Sequence, residues 1–137
     1  MFISYTTVRT RYADVDQMGF VYYGNYATYY EVGRAAAMRE IGTSYKEMEE
    51  KGIIMPVLSM TCQYKKPAHY DELLTVKTIV KGIPKARMEF NYEIFNEKDE
   101  LLNKGETTLV FLSKASNRPV RIPSWFEDKL KPYFEQA

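Results

Sequence analysis

The 137-residue chain has the length of one domain, and with 45% hydrophobic residues it can form a real core. Its 19 basic and 18 acidic residues nearly cancel, which argues against a protein that depends on bulk attraction to nucleic acid or to anionic lipid. One cysteine, Cys62, and one histidine, His69, exclude an internal disulfide, a multi-cysteine zinc site and a multi-histidine metal site. If the chain is an enzyme, we expect its chemistry to use carboxylates, hydroxyls and backbone dipoles.

A strand and a long helix are predicted in the first third of the chain. Residues 5–12 mix threonine, valine, arginine and tyrosine, which predicts a strand. From Asn25 to Ile41 the apolar and small side chains fall on one helical stripe, with Asn25 as the expected N-cap and Gly42 as the C-terminal stop. Small side chains on this helix, such as Gly33, would let another element pack closely against it.

A short helix and four strands are predicted next. Thr43 or Ser44, together with Glu47, indicates the start of the short helix, and Gly52 ends it. Alternating or β-branched segments then predict four strands, at residues 55–64, 73–80, 87–95 and 107–112. In the third of these strands four apolar side chains share the face that we expect to be buried: Met88, Phe90, Tyr92 and Ile94.

The last predicted element is a short helix at residues 123–134, with Ser124 and Glu127 as its capping box and an apolar face that includes Phe126 and Leu130. Helices that are segregated from successive strands indicate an α+β fold with a mainly antiparallel sheet. Because the one long helix is rich in small residues, we expect the sheet to curl around it.

The segment with the clearest chemical content is the loop at residues 14–26, which places a carboxylate just before a helix N-terminus. Free backbone N–H groups and the positive end of the helix dipole can bind a carbonyl oxygen that becomes negative during acyl transfer. A nearby carboxylate can then act as a nucleophile or as a base for water. The alternative is that Asp14 and Asp16 are turn or capping residues, and their spacing alone does not decide between the two.

The same segment, Arg11–Tyr26, resembles the signature D-x-D-x-x-G-x-V-[YF]-[HY]-x-N-[YF] of the hotdog-fold acyl-CoA thioesterases, in particular of the 4-hydroxybenzoyl-CoA thioesterase and YbgC-like groups. In those groups a helix with an aromatic-aromatic-acid run follows, and here that run is Tyr29–Glu31. A second segment, Tyr64–Val76, resembles the family's Y-x-x-P-A-x-x-D-[DE]-x-L-x-V pattern, with one residue fewer before Leu74. The resemblance extends over roughly residues 5 to 115.

The resemblance implies a hotdog fold of the α+β class, with an antiparallel sheet wrapped around a long central helix in a single domain of residues 1–137. It implies a thioesterase that hydrolyses an acyl-CoA to the free acid and coenzyme A, without a metal or other cofactor. The catalytic carboxylate then falls on Asp16, and the backbone oxyanion donor falls on or beside Tyr23. The motif residues expected to contact substrate are Gly19, Tyr22, Gly24 and Asn25.

One departure from the YbgC-like pattern concerns the position of Tyr23, where those proteins usually carry histidine and the hydroxybenzoyl-CoA group carries tyrosine. With tyrosine, no imidazole is available beside Asp16, so the mechanism would depend on Asp16 and the backbone dipole. The phenol of Tyr23 could pack or bind substrate, and both roles stay open.

Several other residues have structural readings that we prefer to chemical ones. Asn25 is favoured as a helix cap, and Glu31 as the partner of Arg34 in an ion pair or as a buried hydrogen-bonding group. His69 is expected in a solvated turn, and Cys62 as a small core residue. The aromatic stripe at residues 26–30 is expected to be mostly core, with some rings available to line an acyl pocket.

Basic residues cluster between residues 65 and 87, with six lysines or arginines against two acids. The alternatives are a solvated surface and a site for the phosphates of coenzyme A or for an acidic acyl carrier protein. The candidates for phosphate binding are Lys65, Lys66, Lys85, Arg87 and Lys114.

The expected partners are an acyl-CoA substrate, an acyl carrier protein as a second carrier, and further copies of the chain, since the resemblance implies a homodimer or homotetramer with active sites at the dimer interface. No segment approaches the ~20 apolar residues that span a bilayer, and the first residues lack the features of a signal peptide. We therefore expect a soluble cytoplasmic protein. Two other functions stay open: a non-catalytic binder of acyl-CoA or acyl carrier protein, and a hydratase or dehydratase, which would need a histidine in the motif.

Overall fold

An antiparallel sheet of five strands wraps around one side of a 16-residue helix in the computed structural model, which describes residues 1–135. The α+β arrangement predicted from the sequence is thus confirmed. The helices and strands of the described residues are β1 (Phe2–Arg9), α1 (Tyr26–Ile41), α2 (Tyr45–Glu50), β2 (Ile53–Ile54), β3 (Val57–Tyr64), β4 (Leu73–Val80), β5 (Arg87–Phe95), β6 (Leu101–Val110), β7 (Leu112–Ser113) and α3 (Ser124–Phe134).

The large sheet has the strand order β1-β4-β5-β6-β3, and every neighbouring pair is antiparallel. β2 and β7 form a separate two-stranded sheet. The central strands β4 and β5 have the predicted bounds, and the four apolar side chains predicted to share the inner face of β5 are fully buried: Met88, Phe90, Tyr92 and Ile94. This alternation follows from a sheet that has one face against the core.

Helix α1 packs closely against the sheet because small residues lie on its inner face. A Cβ atom at Gly33 would come within 2.6 Å of Thr78 Oγ1 and 2.7 Å of Val76 Cγ1 on β4. The helix ends as predicted at Gly42, whose φ of 113° is left-handed and whose N–H donates to the Met38 and Arg39 carbonyls.

Two predicted caps lack their side-chain hydrogen bonds. Asn25 is at the predicted N-cap position of α1 but makes no side-chain cap, and its side-chain amide donates instead to the carbonyl of Asp14, 2.8 Å away. Helix α3 begins at Ser124 with Pro123 before it and no side-chain cap, so the predicted capping box is absent. The cap predicted for the short helix is present, since Ser44 Oγ accepts the Glu47 N–H at 3.0 Å.

Strand bounds also differ from the prediction in β1, β3 and β6. The first strand is Phe2–Arg9 and not residues 5–12, and β3 begins two residues later than predicted. The last strand of the large sheet, β6, spans Leu101–Val110, where the sequence predicted residues 107–112.

β3 lies at the edge of the sheet and its outer side pairs with no strand of the described residues. Its apolar side chains are unusually exposed for a strand, with Val57, Leu58, Met60 and Tyr64 between 42% and 53% exposed. None of the helices in residues 1–135 is long and apolar enough to cross a membrane.

Candidate active site

The turn that leads into α1 presents free backbone donors. Residues Tyr23–Asn25 form a 3-10 turn that continues directly into α1. Within residues 1–135, the N–H groups of Tyr23 and Gly24 make no hydrogen bond, whereas the next N–H, that of Asn25, donates to the Tyr22 carbonyl. Two adjacent unpaired donors at the positive end of a helix can stabilise a negative oxygen.

Asp16 lies in the loop before this turn and its carboxylate is held at one oxygen. Asp16 Oδ1 accepts the N–H of Met18 at 2.9 Å and that of Phe20 at 3.4 Å. The Asp16 backbone closes the loop through its N–H to the Phe20 carbonyl and through its carbonyl to the Gly19 N–H. No described residue donates to Oδ2, so this oxygen is available for chemistry.

A cavity of about 320 Å³ joins Asp16 to the turn. Its walls are mainly aromatic and apolar, with two lysines at the border: Asp16, Met18, Phe20, Val21, Tyr23, Tyr26, Tyr64, Lys65, Lys66 and Pro67. The structure therefore brings together the carboxylate and the turn that the sequence predicted. It adds walls from β3 and from the segment after it.

Tyr64 connects β3 to the turn. Its hydroxyl donates to the Tyr23 carbonyl at 3.3 Å, and its ring meets the ring of Tyr26 edge-on, with centroids 5.5 Å apart. Sequence reasoning missed Tyr64 as a site residue, although it opens the second motif. Phe20, Met18 and Pro67 were missed as well, because no local pattern marks a residue as a cavity wall.

Asp14 has an environment opposite to that of Asp16. Its carboxylate is buried and both oxygens are bonded: Oδ1 to the Arg11 guanidinium at 3.0 Å, and Oδ2 to the Arg11 N–H at 2.9 Å and the Tyr29 hydroxyl at 3.0 Å. Burial acts to raise the pKa of Asp14, but the bonds from Arg11 and Tyr29 outweigh it and hold that pKa below its ordinary value. Burial and the bond to Asp14 raise the pKa of the Tyr29 phenol.

The other motif residues surround the cavity without lining it. Gly19 has a positive φ of 84°, which suits glycine in this tight turn. The Tyr22 ring is tilted by 38° against that of Tyr23, with centroids 4.5 Å apart, and it covers Gly24, where a Cβ would come within 2.9 Å of the Tyr22 ring. Asn25 is engaged with Asp14, as described above.

The five predicted phosphate-binding residues do not form one cluster. Lys65 and Lys66 border the Asp16 cavity, and Lys66 is paired with Glu100 at 2.5 Å. Lys85 and Arg87 line a separate cavity of about 270 Å³ at the loop between β4 and β5, together with Lys81. Lys114 lines neither cavity, and its ammonium is 3.2 Å from a carboxylate oxygen of Glu49.

The remaining candidates are placed outside the cavity. His69 is exposed and its Nδ1 is 3.0 Å from Glu72 Oε1, as expected for a turn residue, and it packs edge-on against the Phe20 ring. Glu31 is exposed and forms no ion pair with Arg34 within the described residues, so both of its predicted roles are wrong. Cys62 is half-buried and hydrogen-bonds to the Tyr30 hydroxyl and the Asn103 amide.

Known proteins with the same fold include thioesterases. A sequence model described as the thioesterase superfamily matches residues 18–103. The chain is 36% identical over 128 residues to YneP of Bacillus subtilis strain 168, provisionally named an acyl-CoA thioesterase, with 93% of each protein covered. It is 28% identical to the acyl-CoA thioester hydrolase YbgC of Escherichia coli O6:H1, over 85% of this chain and 87% of that protein.

Among solved structures, the DHNA-CoA thioesterase from Staphylococcus aureus superposes with a TM-score of 0.88 and is 38% identical, covering 100% of this chain and 98% of that one. The match of the superfamily model spans more than half of the sequence and includes the turn, the cavity wall on β3 and most of the sheet. The chain therefore belongs to the thioesterase superfamily and has its hotdog fold.

Proposed function

We propose that this chain hydrolyses acyl-CoA thioesters with the Asp16 carboxylate and with backbone N–H groups at the Tyr23 turn. The activity is supported by the family match and by relatives that are named as acyl-CoA thioesterases. One observation supports the assignment of the residues: a carboxylate with one free oxygen, that of Asp16, and Tyr23, the first residue of the turn whose N–H groups are unpaired, line the same cavity.

The proposed chemistry begins with the thioester carbonyl oxygen at the N–H groups of Tyr23 and Gly24, which stabilise the charge that develops on it. Asp16 then acts in one of two ways. As a nucleophile it forms a mixed anhydride, expels the coenzyme A thiolate, and is released by water. As a base it takes a proton from the water that attacks the carbonyl. In both routes the thiolate takes up a proton, and no cofactor takes part.

Asp16→Asn tests the carboxylate, because it keeps the shape of the side chain and the acceptor for Met18 while removing the charge. We expect kcat to fall by about 10² to 10⁴, as for other groups that act on protons or as nucleophiles. The measurement is thiol release from a panel of acyl-CoAs. Asp71→Asn is the matched control, because Asp71 is exposed and its one ion pair within residues 1–135 is with Arg9. Full activity of a folded Asp16→Asn variant would exclude the assignment.

Tyr23→Pro tests the oxyanion donor directly, because proline removes the N–H at the first residue of the turn, where its fixed φ is tolerated. The preceding Tyr22 is already extended, with ψ of 135°, which suits a residue before proline. We expect a loss of about 10² to 10³ in kcat. Tyr23→Phe keeps the N–H and the ring and measures what the hydroxyl contributes. Tyr23→Ala keeps the N–H but lacks the ring, so comparing it with Tyr23→Pro isolates the donor.

For the acyl group we propose a compact ring. The cavity is about 320 Å³ and four aromatic rings line it, which favours stacking on a flat group over a long chain. The DHNA-CoA thioesterase that shares 38% identity is consistent with this proposal. The same acyl-CoA panel tests it: kcat/KM should be highest for aromatic acyl groups, and a preference for long aliphatic chains would contradict it.

We propose that the enzyme is at least a dimer, formed by pairing the free edges of two β3 strands about a two-fold axis. A long, exposed and apolar strand edge is a template for pairing, and natural proteins seldom leave one uncovered. In an antiparallel ladder, successive N–H groups of a strand point alternately toward the partner strand and away from it. The Lys65 N–H points toward β6, where it donates to the Leu102 carbonyl. Met60 is an odd number of residues away on β3, so its N–H points toward the free edge.

Met60→Pro therefore removes an edge donor without removing a hydrogen bond inside the protomer. We expect this variant to be monomeric and Met60→Ala, which loses the side chain but keeps the N–H, to remain dimeric. Native mass spectrometry at matched concentration measures both, and also separates dimer from tetramer. A dimeric Met60→Pro variant would exclude this edge as the interface.

We propose that Lys85 and Arg87 bind the phosphates of coenzyme A, because neither forms an ion pair within residues 1–135 and both line one open cavity. The cavity lies at the Arg87 end of the sheet, opposite the Tyr64 end. Pairing two β3 edges antiparallel brings that end of one protomer toward the Asp16 cavity of the other. Each active site would then use residues from both protomers.

Acyl-pantetheine tests whether the enzyme recognises the nucleotide of coenzyme A, because it has the thiol arm without the nucleotide. Replacing Lys85 and Arg87 by alanine should raise KM for the acyl-CoA and leave KM for the acyl-pantetheine unchanged. Equal effects on both substrates would show that these residues do not recognise the nucleotide.

For the location of the protein we propose the cytoplasm, where acyl-CoA is available and the Cys62 thiol stays reduced.

A further inference from the structure

We propose that Asp14 is a positioning residue, which fixes the Asp16 loop and the Tyr23 turn relative to each other for the reaction. This inference rests on the proposed roles of Asp16 and Tyr23. Asp14 does not itself line the cavity, and both of its carboxylate oxygens are occupied, so it cannot serve as a second reacting carboxylate.

Asp14 is held in place by its carboxylate, and the residue as a whole is only 4% exposed. It connects three parts of the chain: its own loop, Arg11 at the start of that loop, and Tyr29 on the first turn of α1. A buried carboxylate is costly unless its oxygens are bonded, and a bonded one resists displacement because any movement breaks charge-assisted hydrogen bonds. The position of the Asp14 main chain is therefore fixed against α1.

The same residue uses its carbonyl to hold the oxyanion turn. The Asp14 carbonyl accepts the Tyr22 N–H and the Asn25 side-chain amide, both at 2.8 Å. These two residues bracket Tyr23 and Gly24, whose N–H groups are unpaired. Asp14 thus bonds on both sides of the proposed donors while it lies two residues before Asp16.

The anchor at Asp14 should matter for the rate of the reaction more than for substrate binding. Asp16 and the Tyr23 N–H must meet the same carbonyl from two directions, and an error of about 1 Å in such an arrangement can cost on the order of 10²-fold in rate. The cavity walls from Tyr64, Lys65, Lys66 and Pro67 belong to β3 and the segment after it, and none of them hydrogen-bonds to Asp14. Loss of the anchor should therefore reduce kcat far more than it changes KM.

The experiment compares Asp14→Asn, Tyr29→Phe and Asp16→Asn in the full chain, with the fraction of folded protein measured by circular dichroism at the assay temperature. We expect Asp14→Asn to lower kcat per folded molecule by about 10- to 100-fold with KM close to that of the wild type. Tyr29→Phe removes one donor to Asp14 and is the gentler variant, so it should lower kcat in the same direction by a smaller factor. Asp71→Asn is again the control for an exposed aspartate paired with arginine.

A double variant decides between positioning and stability. If Asp14 acts through Asp16, then adding Asp14→Asn to Asp16→Asn should cost much less than it costs in the wild type. The proposal would be overturned if Asp14→Asn reduced kcat by the same factor in the wild type and in Asp16→Asn. It would also be overturned if kcat per folded molecule were unchanged in both Asp14→Asn and Tyr29→Phe. Full activity of Asp16→Asn would instead refute the proposed function, so the two failures are distinguishable.

Discussion

A heterodimer of two different inactive variants should regain activity if each active site is shared across the β3 interface. The perturbation is a heterodimer of Asp16→Asn with the double variant Lys85→Ala and Arg87→Ala, isolated with two affinity tags after co-expression. In this heterodimer one site combines an intact Asp16 with the intact basic cavity of the other protomer. The second site carries both defects.

The strand register gives the distance between the basic cavity and the Asp16 cavity within one protomer. Arg87 pairs with Val110 and Tyr64 pairs with Asn103 on the same strand, β6. These partners are separated by roughly 23 Å at ~3.3 Å per residue, so the basic cavity of a protomer is remote from its own Asp16. Two exposed charge–phosphate contacts of about 1 kcal/mol each correspond to roughly a 30-fold loss in kcat/KM for the basic-cavity variant.

A site shared between protomers therefore predicts about half of the wild-type kcat/KM for the heterodimer, from its one intact site. If the basic cavity served the Asp16 of its own protomer, no intact site would exist, and the rate would be roughly 60-fold below wild type. Thiol release at acyl-CoA concentrations well below KM measures the difference, with the two homodimers as controls. A heterodimer rate of only a few per cent would refute the shared site.

Three further predictions concern stability. Gly33→Ala gains about 1 kcal/mol of helix propensity but forces a Cβ against Thr78 and Val76, at a cost of about 1 to 3 kcal/mol, so a urea titration should show net destabilisation and a stabilised variant would contradict the close packing. Gly19→Ala should lose about 1 to 2 kcal/mol of folding free energy through its φ of 84°, although no described residue lies within 4 Å of the added Cβ. Gly19→Asn should lose less, because asparagine tolerates this conformation. Because the pKa of Asp14 is lowered in the folded state, its charge stabilises the fold above its ordinary pKa of about 3.9, and this stability is lost as the pH falls through the lower folded value. Below about pH 4 the wild type should therefore lose more free energy of unfolding than Asp14→Asn. Thermal melts across pH measure this difference.

The parts of the fold that could be predicted from the sequence are those in which one face is buried and the other is not. β4 and β5 show this alternation along their whole length, and their bounds were predicted to the residue. β6 was predicted too short because its first six residues include asparagine, lysine, glycine and glutamate, which are typical of a turn. In the structure Asn103 is a buried partner of the Tyr30 hydroxyl, and Gly105 leaves room for that hydroxyl, so tertiary contacts decide the conformation.

The candidate site was predictable only where it is local in sequence. The loop with Asp16 and the turn with Tyr23 are separated by seven residues, so their proximity follows from one motif. Tyr64 and Lys65 reach the cavity through the edge strand of the sheet, and no spacing in the sequence encodes that contact. Lys85 and Arg87 belong to the same basic cluster in the sequence as Lys65 but lie at the other end of the sheet. The sequence did not predict this separation, because charge clustering along the chain carries no information about strand direction.

Asp14 and Asp16 show why a spacing of carboxylates does not assign their roles. Asp14 ends a 3-10 turn and enters the interior, where Arg11 and Tyr29 occupy both of its oxygens and lower its pKa. Asp16 follows in the open loop, where Met18 and Phe20 bind one oxygen and leave the other free at a cavity. A carboxylate whose bonds are all satisfied can only hold position, whereas one with a free oxygen can attack or accept a proton. The division of labour that we propose for this pair follows from their hydrogen bonds, and the non-additivity of the double variant is its most direct test.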